Sequence, residues 1–169
     1  NPFGNKWGHM SWGHAVSRDL VHWEHLPLAL AEENGVMIFS GSAVLDVNNS
    51  AGFGKNAIVA IYTSASRTTP VIQSQSIAFS LDKGRTFTKY EGNPVIDINS
   101  EEFRDPKVFW DETRNRWVMV LVKAKEHKVS IYSSPDLKSW KFESDFGPAA
   151  NVNGVWECPD LFELPINGR

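Results

Sequence analysis

An internal repeat constrains this chain more than any other feature of its sequence. Ser17-Arg18-Asp19-Leu20-Val21-His22-Trp23 returns as Ser80-Leu81-Asp82-Lys83-Gly84-Arg85-Thr86-Phe87 and again as Ser134-Pro135-Asp136-Leu137-Lys138-Ser139-Trp140. The serines are 63 and 54 residues apart. A second landmark recurs independently, as Ser42-Ala43-Val44-Leu45, Pro106-Lys107-Val108-Phe109 and Pro159-Asp160-Leu161-Phe162. Its central apolar residues are 64 and 53 apart, so two landmarks share one uneven period. That is a copied structural unit.

Each unit holds four short runs rich in Val, Ile, Phe, Tyr and Trp. The spacing predicts strands over 39–46, 56–63, 73–81 and 86–90, then over 103–110, 116–124, 128–134 and 139–144. Turn chemistry separates them, at Asn48-Asn49-Ser50-Ala51-Gly52, Asp82-Lys83-Gly84, Asp111 to Asn115 and Ser134-Pro135-Asp136. No stretch of a dozen residues carries apolar positions at helical spacing. The chain therefore reads as all-β, and four antiparallel strands per unit make a β-propeller blade. The phase of the repeat predicts the third strand of one blade near Trp12–Ser17, two complete blades after it, and the first strand of another over Val155 to Leu164. A propeller needs at least four blades to close, so residues 1–169 are expected to be two complete blades and parts of two others.

Composition narrows the function classes. Seventeen Lys and Arg against twenty Asp and Glu leave a net charge of −3 over 169 residues. A nucleic-acid groove or a membrane-surface patch needs a concentrated cationic excess, so neither partner is expected. The single cysteine, Cys158, rules out an internal disulfide and a cysteine cage for a metal. The five histidines do not show convergent zinc-ligand spacing, and no metal or other cofactor is expected. Seven tryptophans stand out; they serve either a β-rich core or the stacking of sugar rings.

The site is expected where blades converge, at the heads of their innermost strands. Those positions read Phe39-Ser40-Gly41-Ser42, Phe103-Arg104-Asp105-Pro106 and Trp156-Glu157-Cys158-Pro159. A lone acid at a strand end is usually just solvated, since charged residues are mostly exposed. Asp105 and Glu157, however, occupy matching places in successive units and are expected to face each other across the channel. Paired carboxylates beside an arginine suit glycoside hydrolysis.

Four motifs together make the resemblance specific: Asn1-Pro2-Phe3 through Trp7-Gly8-His9-Met10-Ser11-Trp12-Gly13-His14-Ala15-Val16-Ser17, then Phe39-Ser40-Gly41-Ser42, Phe103-Arg104-Asp105-Pro106, and Trp156-Glu157-Cys158-Pro159. In order and spacing the chain resembles glycoside hydrolase family 32, whose invertases, inulinases and levanases are retaining β-fructosidases built on a five-bladed propeller followed by a β-sandwich. The resemblance implies that Glu157 is the general acid/base and Asp105 the transition-state stabiliser, with Arg104 beside it. It also implies that Phe39 and Ser40 contact substrate, that Trp7 walls the fructose pocket, and that Cys158 tunes the acid. The implied substrates are fructans and sucrose, with an exo-acting fructan hydrolase first, invertase second, and a fructosyltransferase or a non-catalytic propeller as the other readings. Secretion is implied as well.

The repeated Ser-x-Asp segments resemble the Asp-box turns of sialidase propellers and are read as structural, with Trp23 and Trp140 packed in the core. The family's nucleophile is an aspartate in a Trp-Met-Asn-Asp-Pro-Asn-Gly segment, which the 169 residues do not contain. Without it a retaining enzyme forms no covalent intermediate. The expectation is that residues 1–169 alone form a fragment of the catalytic propeller and release no fructose from sucrose or inulin; a fructose assay on the purified chain checks this.

Overall fold

The structure, a computed structural model, describes residues 1–164. It contains eleven β-strands and one 3-10 turn, Ala124–Glu126, among the described residues. The strands form three antiparallel sheets. β1 (Trp12–Ser17) and β2 (Trp23–Leu30) make a two-stranded sheet. β3 (Val36–Asp46), β4 (Ala57–Ser66), β5 (Gln73–Ser80) and β6 (Thr88–Lys89) follow one another in the second. β7 (Ile96–Ser100) adds to that sheet by pairing with β5, a strand the sequence pattern did not show. β8 (Phe103–Asp111), β9 (Arg116–Lys123), β10 (Lys128–Ser134) and β11 (Lys141–Phe146) make the third sheet. These are the predicted blades of a propeller, with strand bounds within a few residues of expectation.

The blades pack face to face, so a middle strand is covered on both sides and loses the apolar-polar alternation of a half-exposed one. β4 shows this: its successive side chains point to opposite faces. Val59 and Ile61 join Ile77, Phe103, Met119 and Leu121 in the core between the second and third blades. Ala60 and Tyr62 join Leu30, Ile38 and Ala78 in the core toward the first blade. β3 approaches β4 closely at Gly41, where a Cβ would lie 2.0 Å from the Ile61 carbonyl oxygen. No other residue fits there without displacing β4.

The three Ser-x-Asp turns share one hydrogen-bond pattern. Ser17, Ser80 and Ser134 each donate to Oδ1 of the aspartate two residues on, at 3.1, 2.7 and 3.1 Å. That same Oδ1 accepts two backbone N–H groups: from Val21 and His22, from Arg85 and Thr86, and from Lys138 and Ser139. The residue three after each serine, Leu20, Lys83 and Leu137, has φ near +60°. The turn is thus set by side-chain capping of the backbone. Trp140 packs against the core as expected.

Two expectations fail. Trp23 is not a core residue but 53% exposed. It opens β2 in the two-stranded sheet and lines a surface depression with Arg18, His22 and Arg85, and no second sheet of the described residues covers it. Residues 155–164 form no strand. A strand exists through its ladder partner, and this stretch is held instead by separate bonds, such as the Trp156 N–H to the Ala124 carbonyl at 3.1 Å.

The shared turn chemistry predicts acid sensitivity. Burial pushes the Asp136 carboxyl up, but hydrogen bonds from the Ser139 and Lys138 amides and the Ser134 and Ser139 hydroxyls outweigh it and hold the group below the usual range. A folded value below the unfolded one contributes stability that is fully present above the ordinary aspartate pKa of about 4 and is lost as pH falls through the folded value. Denaturant midpoints measured from pH 7 downward should therefore fall in acid, and Asp136→Asn should lower the neutral-pH midpoint while flattening the acid limb.

Candidate active site

The innermost strands of the two complete blades carry the same irregularity. In β3, Ile38 faces Ser64 while Gly41 faces Tyr62; in β8, Arg104 faces Val122 while Lys107 faces Val120. Each strand therefore has one residue more than its partner, a β-bulge, and bulges next to functional sites re-aim side chains. Phe39-Ser40 and Asp105-Pro106 are the bulged pairs. Pro106 fits there because a bulge does not require its missing N–H.

Asp105 sits at φ +62°, a conformation that costs a side-chain-bearing residue on the order of 1 kcal/mol. Its surroundings hold it in place. The Asp105 N–H donates to Thr63 Oγ1 at 3.0 Å, and that hydroxyl donates to Gln75 Oε1 at 2.9 Å. Gln75 Nε2 donates to the Phe103 carbonyl at 2.8 Å, and the Phe103 N–H donates to Gln73 Oε1 at 3.0 Å. Thr63, Gln75 and Phe103 are all fully buried. The backbone on either side of Arg104 is thereby anchored to the second blade.

Arg104, its side chain only 11% exposed, is the hub of the charged groups. Nη1 lies 2.6 Å from Glu102, Nη2 3.2 Å from Glu157, and Nε 3.9 Å from Asp105. Burial works against its charge, but Glu102, Glu157 and Asp105 outweigh that and raise its pKa further. Glu102 is likewise pushed up by burial, yet hydrogen bonds from Arg104 and Lys125 hold it below the usual carboxylate range.

The Asp105 side chain is buried and accepts the Cys158 N–H at 2.9 Å through Oδ2, with the Cys158 Sγ 3.7 Å from the same oxygen. Burial first, then the Asp105 charge, push the Cys158 thiol up, which keeps it a neutral donor toward that carboxylate. Glu157 is 57% exposed and open to a ligand. Asp105 and Glu157 therefore stand side by side on neighbouring segments around one guanidinium, not opposed across a channel. The reason is the order of the chain: successive blades are neighbours, so equivalent positions in them are adjacent.

These groups line one side of a cavity of about 770 Å³. The other side is formed by Trp7, Met10, Trp12, Phe39 and Val71. Trp7 is 76% exposed and meets Phe39 edge-on at 6.1 Å between ring centroids. Every site residue expected from sequence, Trp7, Phe39, Ser40, Arg104, Asp105, Glu157 and Cys158, borders this cavity. Apolar rings opposite carboxylates and a guanidinium suit a neutral polyol, whose C–H faces stack on rings while its hydroxyls bond the charged groups.

Sequence reasoning passed over Gln73, Gln75, Thr63 and Glu102. A signal was present for two of them: Gln73-Ser74-Gln75-Ser76 is a polar stretch opening a strand that must be buried on both faces. Buried polar groups of that kind have partners.

Comparison with known proteins identifies the lineage. The family profile described as "Glycosyl hydrolases family 32 N-terminal domain" matches residues 1–168. The chain belongs to that family. It is similar to the levanase of Bacillus subtilis, 56% identical over the whole of this chain and 25% of the relative. The extracellular exo-inulinase of Aspergillus ficuum is 48% identical over 99% of this chain and 36% of its own length. Among solved structures, the β-fructofuranosidase of Schwanniomyces occidentalis complexed with fructosyl-erythritol superposes with a TM-score of 0.91 at 48% identity, covering 99% of this chain and 33% of that one. The chain thus spans about a quarter to a third of the length of the relatives it matches.

The hydrogen-bonded anchor of Asp105 yields a prediction. Thr63→Val keeps the shape but leaves the Asp105 N–H and Gln75 Oε1 without a partner, each worth about 1–3 kcal/mol when buried. With two groups unpaired the substitution should lower stability by about 2–6 kcal/mol, read as a shift in the denaturant midpoint without a change in slope.

Proposed function

We propose that this chain is part of a catalytic propeller that hydrolyses terminal β-D-fructofuranosyl linkages, in fructans first and in sucrose second. The observation that carries the reading is the Arg104 guanidinium, which gathers Glu157 and Asp105 into one cavity opposite the Trp7 and Phe39 rings. The family membership supports it, as do relatives named levanase, exo-inulinase and invertase. The relatives named extracellular support secretion of the whole protein.

The chemistry follows from the placement. In a retaining mechanism a nucleophilic carboxylate attacks the anomeric carbon as the glycosidic bond breaks. Glu157, accessible at the cavity, gives its proton to the departing oxygen and then takes one from the water that releases fructose. Asp105 stays fixed by the Cys158 amide and by its own anchored backbone, so its negative charge lies beside the ring as positive charge develops there. Arg104 orients both carboxylates and bonds sugar hydroxyls. The nucleophile comes from outside these 169 residues, which contain no Asn-Asp-Pro-Asn segment.

Glu157→Gln in the whole protein tests the assignment. Loss of the proton donor should reduce kcat on inulin, levan and sucrose by about 10²–10⁴-fold with an unchanged thermal midpoint. Retained turnover would place the acid elsewhere, and a wild-type protein acting only on phosphorylated sucrose would overturn the substrate assignment.

A further inference from the structure

Three distant parts of the chain meet at Glu32, two of them close in sequence to residues that line the cavity. His9 Nδ1 lies 2.6 Å from Glu32 Oε2, and Arg67 Nη1 donates to Glu32 Oε1 at 3.1 Å. The same Arg67 nitrogen is 3.4 Å from His9 Nδ1. Glu32 is the buried member, with a side chain only 10% exposed; both of its oxygens are used, as a carboxylate removed from water requires. Burial pushes its carboxyl up, but His9 and Arg67 outweigh that and hold it below the usual range.

Each member of the cluster carries a piece of the cavity wall. His9 follows Gly8, and both have positive φ, 52° and 124°, so the chain turns sharply just after Trp7, which lines the cavity. Arg67 begins the loop that ends at Val71, a lining residue, and its own N–H donates to the Gly35 carbonyl at 2.8 Å. That loop is braced internally, with the Ile72 N–H donating to Ser66 Oγ at 2.9 Å. Glu32 lies on the link from β2 to β3, its N–H donating to Ser11 Oγ at 2.9 Å. Lys89 ties the same link to β6 through the Ala31 carbonyl and Glu33. The linkage from Glu32 to both wall segments is direct, whereas it touches none of the carboxylates of the opposite side.

We propose that His9, Glu32 and Arg67 form a clasp of positioning residues that holds the Trp7 segment and the Val71 loop together as one rigid wall for sugar binding. The proposal rests on the fructosidase reading above for the identity of the sugar. The clasp acts on how well the ring is held and not on proton transfer, because none of its hydrogen bonds or ion pairs reaches Glu157, Asp105 or Arg104.

The test uses the whole protein with sucrose and inulin. Glu32→Ala and Arg67→Ala should raise KM about 5- to 20-fold with kcat within about 2-fold of wild type, since lost ground-state binding appears in KM. Arg67→Lys should recover part of the loss. Combined with Trp7→Ala, Glu32→Ala should add little further increase, because the clasp works through that ring. A proportional fall in kcat, an unchanged KM, or fully additive effects would overturn the proposal. Hydrogen exchange supplies a readout that needs no substrate: Glu32→Ala should speed exchange in residues 7–12 and 67–72 together while leaving 116–123 unchanged. Exchange that rises in neither segment, or throughout the protein, also overturns it. Wild-type protein without activity on either sugar would instead count against the fructosidase reading, and the exchange result would still decide the clasp.

Discussion

The site depends on a chain of buried hydrogen bonds that crosses from one blade to the next. Thr63 on β4 and Gln75 on β5 reach across to the backbone of β8, where they bond the Asp105 N–H and the Phe103 carbonyl. In a dry interior these groups cannot turn to water, so the bonds fix β8 relative to its neighbour to within the tolerance of a hydrogen bond. A bulged residue at φ +62° would relax without such support. Here the strain and a buried, cavity-lining carboxylate fall on the same residue, and the surrounding blade supplies the restraint.

From that anchor the charged groups follow. Four carboxylates, Glu101, Glu102, Asp105 and Glu157, border a cavity with one guanidinium. Like charges so close would repel, and the Arg104 guanidinium is what permits Glu102, Asp105 and Glu157 to share one side of the pocket. Lys125 relieves Glu102 from outside at 2.7 Å. The opposite side is apolar and is held by another buried carboxylate, Glu32. One group of carboxylates thus borders the cavity around Arg104, while Glu32 is bonded to His9 and Arg67 without a direct contact to that group.

Much of the architecture was legible because it is written locally. Turn formation by Ser80 and Asp82 needs only residues within a few positions, and it appears in the sequence as it does at Ser17 and Ser134. The strands show because β-branched and aromatic runs alternate with turn residues. Trp23 and Trp140 share one motif, yet burial is decided by which sheet lies opposite, and among the described residues only Trp140 has one. The stretch 155–164 carries a strand-like pattern, but pairing depends on a neighbour. β7 escaped notice since Ile96–Ser100 is short and polar, and it pairs with β5 through backbone groups that any residue provides.

By itself the sequence determined the blade repeat, the turns, the family and the residues that border the cavity, because periodicity, capping and motif spacing are properties of contiguous residues. Only the tertiary structure decided that Asp105 and Glu157 stand beside each other around Arg104, that Thr63, Gln73 and Gln75 hold them there, and that His9, Glu32 and Arg67 brace the facing wall. Those contacts join residues dozens of positions apart. They exist only once bulges, register and blade packing have brought the segments within hydrogen-bonding distance.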